Sequence, residues 1–206
     1  MSIALRACLG LVLCLALAGP ALAQDAKPAE QPARAEAQQP AAADPSAAAV
    51  PAARPEDVKS LDAIIAALYD VISGDAGVQR DWDRFRSLFY PGARMIPSGK
   101  NAKTGKVGAR IASPEAYIQA NESFLEGEGF HELELGRHVD SYGTLSQIFS
   151  AYEARNKKND EKPFLRGINS IQLLNDGTRW WVLTLAWSPE TPDNPLPERF
   201  TKKADR

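Results

Sequence analysis

The chain has 206 residues, 24 of them Lys or Arg and 26 Asp or Glu, for a net charge of −2. That near balance, with no basic stripe or long charge run, speaks against nucleic acid as a partner. The two cysteines, Cys8 and Cys14, both fall in the N-terminal segment, so the rest of the chain has no disulfide, no thiolate nucleophile and no thiolate metal site.

Residues 1–23 read as a cleavable secretory signal. Arg6 gives a weakly positive start, Leu9 to Ala18 form an apolar run broken at Gly19-Pro20, and Ala21-Leu22-Ala23 supplies a small-x-small cleavage site. The apolar run is too short to span a bilayer, which takes about 20 residues, so no stable membrane anchor is expected after cleavage. The expected location is periplasmic or secreted. Residues 24–55 hold 13 Ala and 6 Pro among 32 positions, and Val50 is their only large aliphatic. Such a segment buries too little apolar surface to offset its chain entropy, and it reads as a disordered linker.

The folded domain is expected over 56–190, followed by a Pro-rich polar surface tail over 191–206. Leu61, Ile64, Ile65, Leu68 and Ile72 form one helical stripe, with Ser60 as N-cap and Gly74 as the C-terminal stop. A short helix starts at Asp81 and places Trp82, Phe85, Leu88 and Phe89 on one face. Two short strands, Arg94 to Pro97 and Val107 to Ala112, flank a polar loop. A third helix begins at Ser113-Pro114 and carries Tyr117, Ala120 and Phe124 on its apolar face. Four strands then follow: Phe130 to Asp140, Thr144 to Arg155, Phe164 to Leu174 and Arg179 to Trp187. Asn175-Asp176-Gly177 marks the hairpin between the last two. Joined by short turns, these four should form an antiparallel meander, with three helices packed on one face.

This order of elements resembles the nuclear transport factor 2-like superfamily, which includes the polyketide-cyclase-like (SnoaL-like) and ketosteroid-isomerase-like proteins. The resemblance spans Leu61 to Trp187. It is carried by Asp81-Trp82-Asp83-Arg84-Phe85-Arg86 leading into Leu88-Phe89, by Pro91-Gly92-Ala93-Arg94, by Tyr152-Glu153, by Arg166 to Leu173, and by Arg179-Trp180-Trp181. It implies an α+β cone: a curved, mostly antiparallel sheet closed on one face by three helices. It also implies a concave pocket, and a homodimer formed through the sheet. It does not choose among isomerases, dehydratases, cyclases and proteins without catalysis.

Strand alternation then selects pocket residues. On Phe130 to Asp140 the apolar face, expected inward, carries His131, Leu133, Leu135, Arg137 and Val139. Glu132, Glu134, His138 and Asp140 are expected on a solvated or dimer-facing side. His138 lies about 13 Å along the strand from Glu134, too far for a shared metal. Asn169 is the one hydrogen-bonding side chain on the apolar face of its strand, tied to backbone or to a ligand. The last strand is apolar on both faces, with Trp180, Val182 and Ala186 on one side and Trp181, Leu183, Leu185 and Trp187 on the other. Such a strand needs cover on both sides: the helices supply one, a second subunit or the folded-back tail the other, and the dimer is preferred. His131, Arg137, Tyr152, Asn169 and Trp187 are the expected ligand-pocket residues. Tyr69, Tyr117 and Tyr152 are available as hydroxyl donors, but no inward carboxylate can be assigned; Glu153 is the nearest candidate, on a strand whose alternation is ambiguous. No Ser-His-Asp set, phosphate loop or zinc motif is present, and no cofactor or metal is expected. The reading is an exported domain that binds a small apolar or partly polar molecule. The alternatives are a non-catalytic interaction domain of the envelope, and an isomerase- or dehydratase-like enzyme, which needs an inward acid or base.

Overall fold

A computed structural model describes residues 50–101 and 103–201. The expected signal at 1–23, almost all of the expected linker at 24–55 and the last residues of the tail lie outside the described residues. The elements in chain order are α1 (Pro55–Val58), α2 (Leu61–Ile72), α3 (Trp82–Ser87), β1 (Phe89–Lys100), β2 (Val107–Ala109), α4 (Pro114–Glu128), β3 (His131–Tyr142), β4 (Leu145–Arg155), β5 (Leu165–Asn175), β6 (Trp180–Pro189) and α5 (Glu198–Thr201).

The three expected helices start where their caps place them. The side chains of Ser60, Asp81 and Ser113 each accept a hydrogen bond from the backbone N–H three residues on, those of Ala63, Arg84 and Ala116. Two single-turn helices, α1 and α5, are additions that no apolar stripe announces. The first expected strand is longer than its sequence pattern suggests, running from Phe89 to Lys100, and the second is shorter, ending at Ala109.

Gly74 does not act as a left-handed stop. Ser73 ends α2 in an extended conformation, and Gly74 pairs with Phe130. Its lack of a side chain matters for another reason: a Cβ there would lie 2.5 Å from Nη1 of Arg80. The buried Arg80 guanidinium donates to the carbonyls of Ile72, Gly74, Val78 and Leu125, which ties the C-terminal ends of α2 and α4 together.

The sheet order is β2-β1-β6-β5-β4-β3. The meander β3-β4-β5-β6 is antiparallel throughout, and β1 joins β6 in parallel. Its hairpins turn at Gly143 and Gly177, and Gly177 has a φ of 90° that suits glycine. The helices α2, α3 and α4 pack on one face, around Ile64, Ile65, Phe85, Leu88, Phe89, Ile148, Ile171 and Leu173. Each such side chain contributes about 1.5–3 kcal/mol by leaving water.

Two bulges set which side chains face the helices. In β3 the pairing steps from Glu134↔Tyr152 to Gly136↔Ala151, leaving Leu135 as an extra residue. In β6 it steps from Leu173↔Val182 to Gln172↔Thr184, leaving Leu183 extra. One inserted residue reverses the alternation beyond it. The expected faces of both strands are corrected accordingly. Glu132 and Glu134 pair with Ala154 and Tyr152 on the helix-covered face, whereas Leu133 points outward and is 43 % exposed. On β6, Trp180, Val182, Leu185 and Trp187 share the inner face. Trp181 lies on the outer one, where its indole donates to Asp176 and stacks beneath Arg179.

The tail does not lie free on the surface over its whole length. It folds back across the outer face of the sheet, where α5 buries Phe200 against Phe149 with ring centroids 5.7 Å apart. Among the described residues, no helix is long and apolar enough to cross a membrane.

Candidate functional site

Between α2, α4 and the inner face of the sheet lies a cavity of about 260 Å³. Its walls are mainly apolar, with Leu68 and Ile72 from α2, Met95 from β1, Ile171 from β5 and Leu185 from β6. Polar groups enter from each side: Tyr69 from α2, Tyr117 and Asn121 from α4, Glu132 from β3, Tyr152 from β4 and Asn169 from β5. Among the described residues no Lys, Arg or His borders it, which leaves Glu132 as its one charged group.

Glu132 keeps part of its surface accessible because it borders the void, yet protein surrounds it. Burial pushes its carboxyl up to about 7, and the hydrogen bond donated by Asn169 opposes the rise. Asn169 Nδ2 lies 3.0 Å from Glu132 Oε1 and 3.2 Å from the Tyr69 hydroxyl. The Tyr69 hydroxyl is 2.7 Å from Ser150 Oγ, which donates to Glu134 Oε1.

Burial first, and then the charge of Glu132, holds Tyr69, Tyr117 and Tyr152 well above the ordinary phenol range. All three are therefore O–H donors at neutral pH. The hydroxyls of Tyr117 and Tyr152 have no hydrogen-bond partner among the described residues. Tyr152 fits only because position 167 is glycine: a Cβ there would lie 2.5 Å from the tyrosine oxygen and 2.5 Å from the carbonyl of Ser188.

Of the residues expected in a pocket, Tyr152, Asn169 and Trp187 border the cavity. His131 and Arg137 do not, and their placement there is corrected. His131 Nε2 lies 2.8 Å from Asp75 Oδ1, at the first position of its strand. Arg137 pairs with Glu134 at 3.2 Å and Asp62 at 3.3 Å. Arg137 does share the inner face, but it lies beyond the cavity. Asn169, whose partner the sequence left open between backbone and ligand, joins Glu132 to Tyr69.

Glu132 is the residue that strand alternation missed. Its apolar neighbours Leu133 and Leu135 suggested the opposite face, and the bulge at Leu135 reversed the count. The signal that could have found it is Gly136, since a glycine inside a strand pattern often marks a bulge. Among the described residues, no group of three or more His, Cys, Asp or Glu is placed to hold a metal ion.

No family model matches the chain, and no curated protein matches it. Solved structures do overlap with it. One is a nuclear transport factor 2-like protein of unknown function from Silicibacter pomeroyi, at 14 % identity and a TM-score of 0.45, covering 64 % of this chain and 94 % of that one. Another is a proposed dehydratase of the nuclear transport factor 2-like family from Streptomyces avermitilis, at 11 % identity and a TM-score of 0.48, covering 66 % of this chain and 96 % of that one. A third is the β subunit of a proposed aromatic-ring-hydroxylating dioxygenase from Novosphingobium aromaticivorans, at 13 % identity and a TM-score of 0.49, covering 65 % of this chain and 88 % of that one. Overlaps this distant say nothing about activity. The fold itself is α+β, with three helices packed on one face of a six-stranded, mostly antiparallel sheet, as the resemblance implied.

Proposed function

We propose that this chain is an exported binding protein for a small, neutral, mainly apolar molecule, and that Glu132 exchanges a proton with what it binds. The observation that carries the reading is the Glu132 carboxyl, set in an apolar-walled void with one donated hydrogen bond. A structural role does not need it, because a buried carboxyl at this position costs stability.

Size and charge narrow the ligand. A cavity of about 150 Å³ holds a benzene, so about 260 Å³ suits a body of one to two rings. The lack of a bordering cation among the described residues disfavours an anion beside an ionised Glu132. The Tyr117 and Tyr152 hydroxyls call for an acceptor oxygen, as on a carbonyl or a phenol.

The same groups favour an isomerase-type step as a second reading. Glu132, with its carboxyl near neutrality, can take a proton from the carbon beside a carbonyl. The bonding pair moves onto the oxygen as an enolate held by tyrosine O–H donors, and the proton returns at another carbon. No oxidant or cofactor is required.

The probe we choose is 2-naphthol, a neutral two-ring compound with one hydroxyl, followed by its fluorescence. Saturable binding is expected, and Leu185→Trp, which fills the cavity, should abolish it. A folded wild-type chain that shows no saturable binding at pH 6 or pH 8 overturns the reading. Incubation of a bound ketone in heavy water tests the second reading: deuterium beside the carbonyl that is lost in Glu132→Gln supports it, and no uptake by the wild type sinks it.

A further inference from the structure

The side chains behind the cavity form a chain of hydrogen bonds whose direction is fixed from one end. Glu134 is ion-paired to Arg137, with Oε2 3.2 Å from the guanidinium, so its carboxylate only accepts. Ser150 has one proton, and it goes to Glu134 Oε1 at 2.5 Å. Ser150 Oγ must then accept from the Tyr69 hydroxyl at 2.7 Å. Tyr69 has thereby used its only proton and accepts in turn, from Asn169 at 3.2 Å. Only the amide nitrogen of Asn169 can donate, so its NH₂ faces Tyr69, and its second N–H reaches Glu132 Oε1 at 3.0 Å. Oxygen and nitrogen of an asparagine are otherwise interchangeable in shape, and here the network decides between them.

We propose that Asn169 is a positioning residue, held amide-first against Glu132 by this one-directional chain from the Arg137–Glu134 ion pair. The chain leaves Glu132 Oε2, which has no partner among the described residues, as the atom that meets the ligand. It concerns the site on which the proposed function rests.

Ser150 is fully buried and does not border the cavity, so it reaches Glu132 through Tyr69 and Asn169 or through the charge of Glu134. Without Ser150 to receive its proton, Tyr69 can donate to Asn169, whose amide then turns its carbonyl toward Glu132. A carbonyl facing a carboxyl favours the protonated acid. The other groups facing Glu132 are Tyr69 from α2, Tyr117 from α4, Tyr152 from β4 and Glu134 on its own strand, and none supplies a positive charge.

The test is the titration of the Glu132 carboxyl by ¹³C NMR in the full chain without ligand, with Glu132→Gln assigning the resonance. Ser150→Ala should raise the midpoint by about one pH unit. Ser150→Thr, which keeps a hydroxyl, should return it toward the wild-type value. Glu134→Leu should also raise it, because Ser150 then has no fixed acceptor. Loss of the Glu134 charge alone would lower the midpoint, so the sign separates the relay from simple electrostatics. If Ser150→Ala does not fold, Glu134→Leu decides. An unchanged or lowered midpoint in either folded variant overturns the proposal. Because the readout needs no ligand, failure of 2-naphthol to bind would sink the proposed function and leave this inference standing.

Discussion

Glu132 couples the site to stability through pH. Its carboxyl titrates near 7 in the folded chain, against a reference of 4.5. Between those values the folded state holds a proton that the unfolded state has released. Stability from this group is therefore fully present below about pH 4.5, falls as pH rises through about 7, and stays low above that. The loss is on the order of 3 kcal/mol at most, since a tenfold change in proton affinity is worth about 1.4 kcal/mol and the carboxyl keeps part of its surface accessible. Glu132→Gln should remove that fall, so the urea midpoints of wild type and variant should differ more at pH 8 than at pH 5. A constant difference would place Glu132 outside an apolar environment. Gly167 carries a second prediction at this scale. Gly167→Ala puts a methyl group against the Tyr152 oxygen and the Ser188 carbonyl, and should cost about 1–3 kcal/mol in chemical denaturation.

The helices were legible as elements because each combines an apolar stripe with a capping side chain. Ser60 was read from the sequence as a cap and Asp81 and Ser113 as helix starts, and all three accept a capping backbone bond. The meander was legible for a similar reason, because turns such as Asn175-Asp176-Gly177 are local chemistry. The strand faces were less so. Periodicity over a whole strand cannot register one extra residue, and Leu135 and Leu183 are apolar residues like their neighbours. Of the five cavity residues the sequence offered, Asn169, Tyr152 and Trp187 border the cavity and His131 and Arg137 do not, and Glu132 was placed on the opposite side. Arg80 was also silent, since its acceptors are backbone carbonyls of α2, α4 and the loop between α2 and α3. Arg80→Met should leave those buried carbonyls without a donor and cost about 2–4 kcal/mol in thermal or denaturant unfolding. A loss below about 1 kcal/mol would show that water replaces the guanidinium.

At the scale of the whole molecule, export and a homodimer are proposals that rest on the N-terminal sequence and on the outer sheet face. N-terminal sequencing of the chain recovered from outside the cytoplasm should begin at Gln24, and a start at Met1 would refute the cleavable signal. The outer face exposes Leu145 and Phe149, at 52 % and 41 %, beside the tail that buries Phe200. Sedimentation velocity should find a dimer that Leu145→Lys weakens, and a monomer at all concentrations would refute it.

The sequence by itself determined the three capped helices, the hairpin turns, the α+β order, and the apolar stripes that must find one another. Those depend on interactions within a few residues, or on composition, and can be read along the chain. Only the tertiary structure decided what the cavity contains. A carboxyl reaches apolar surroundings because a bulge turned one strand over, and it stays there because residues far apart in the chain meet around it. Tyr69 and Asn169 are separated by 100 positions. No local pattern encodes that meeting, because burial and the direction of a hydrogen-bond chain depend on every wall of the cavity together.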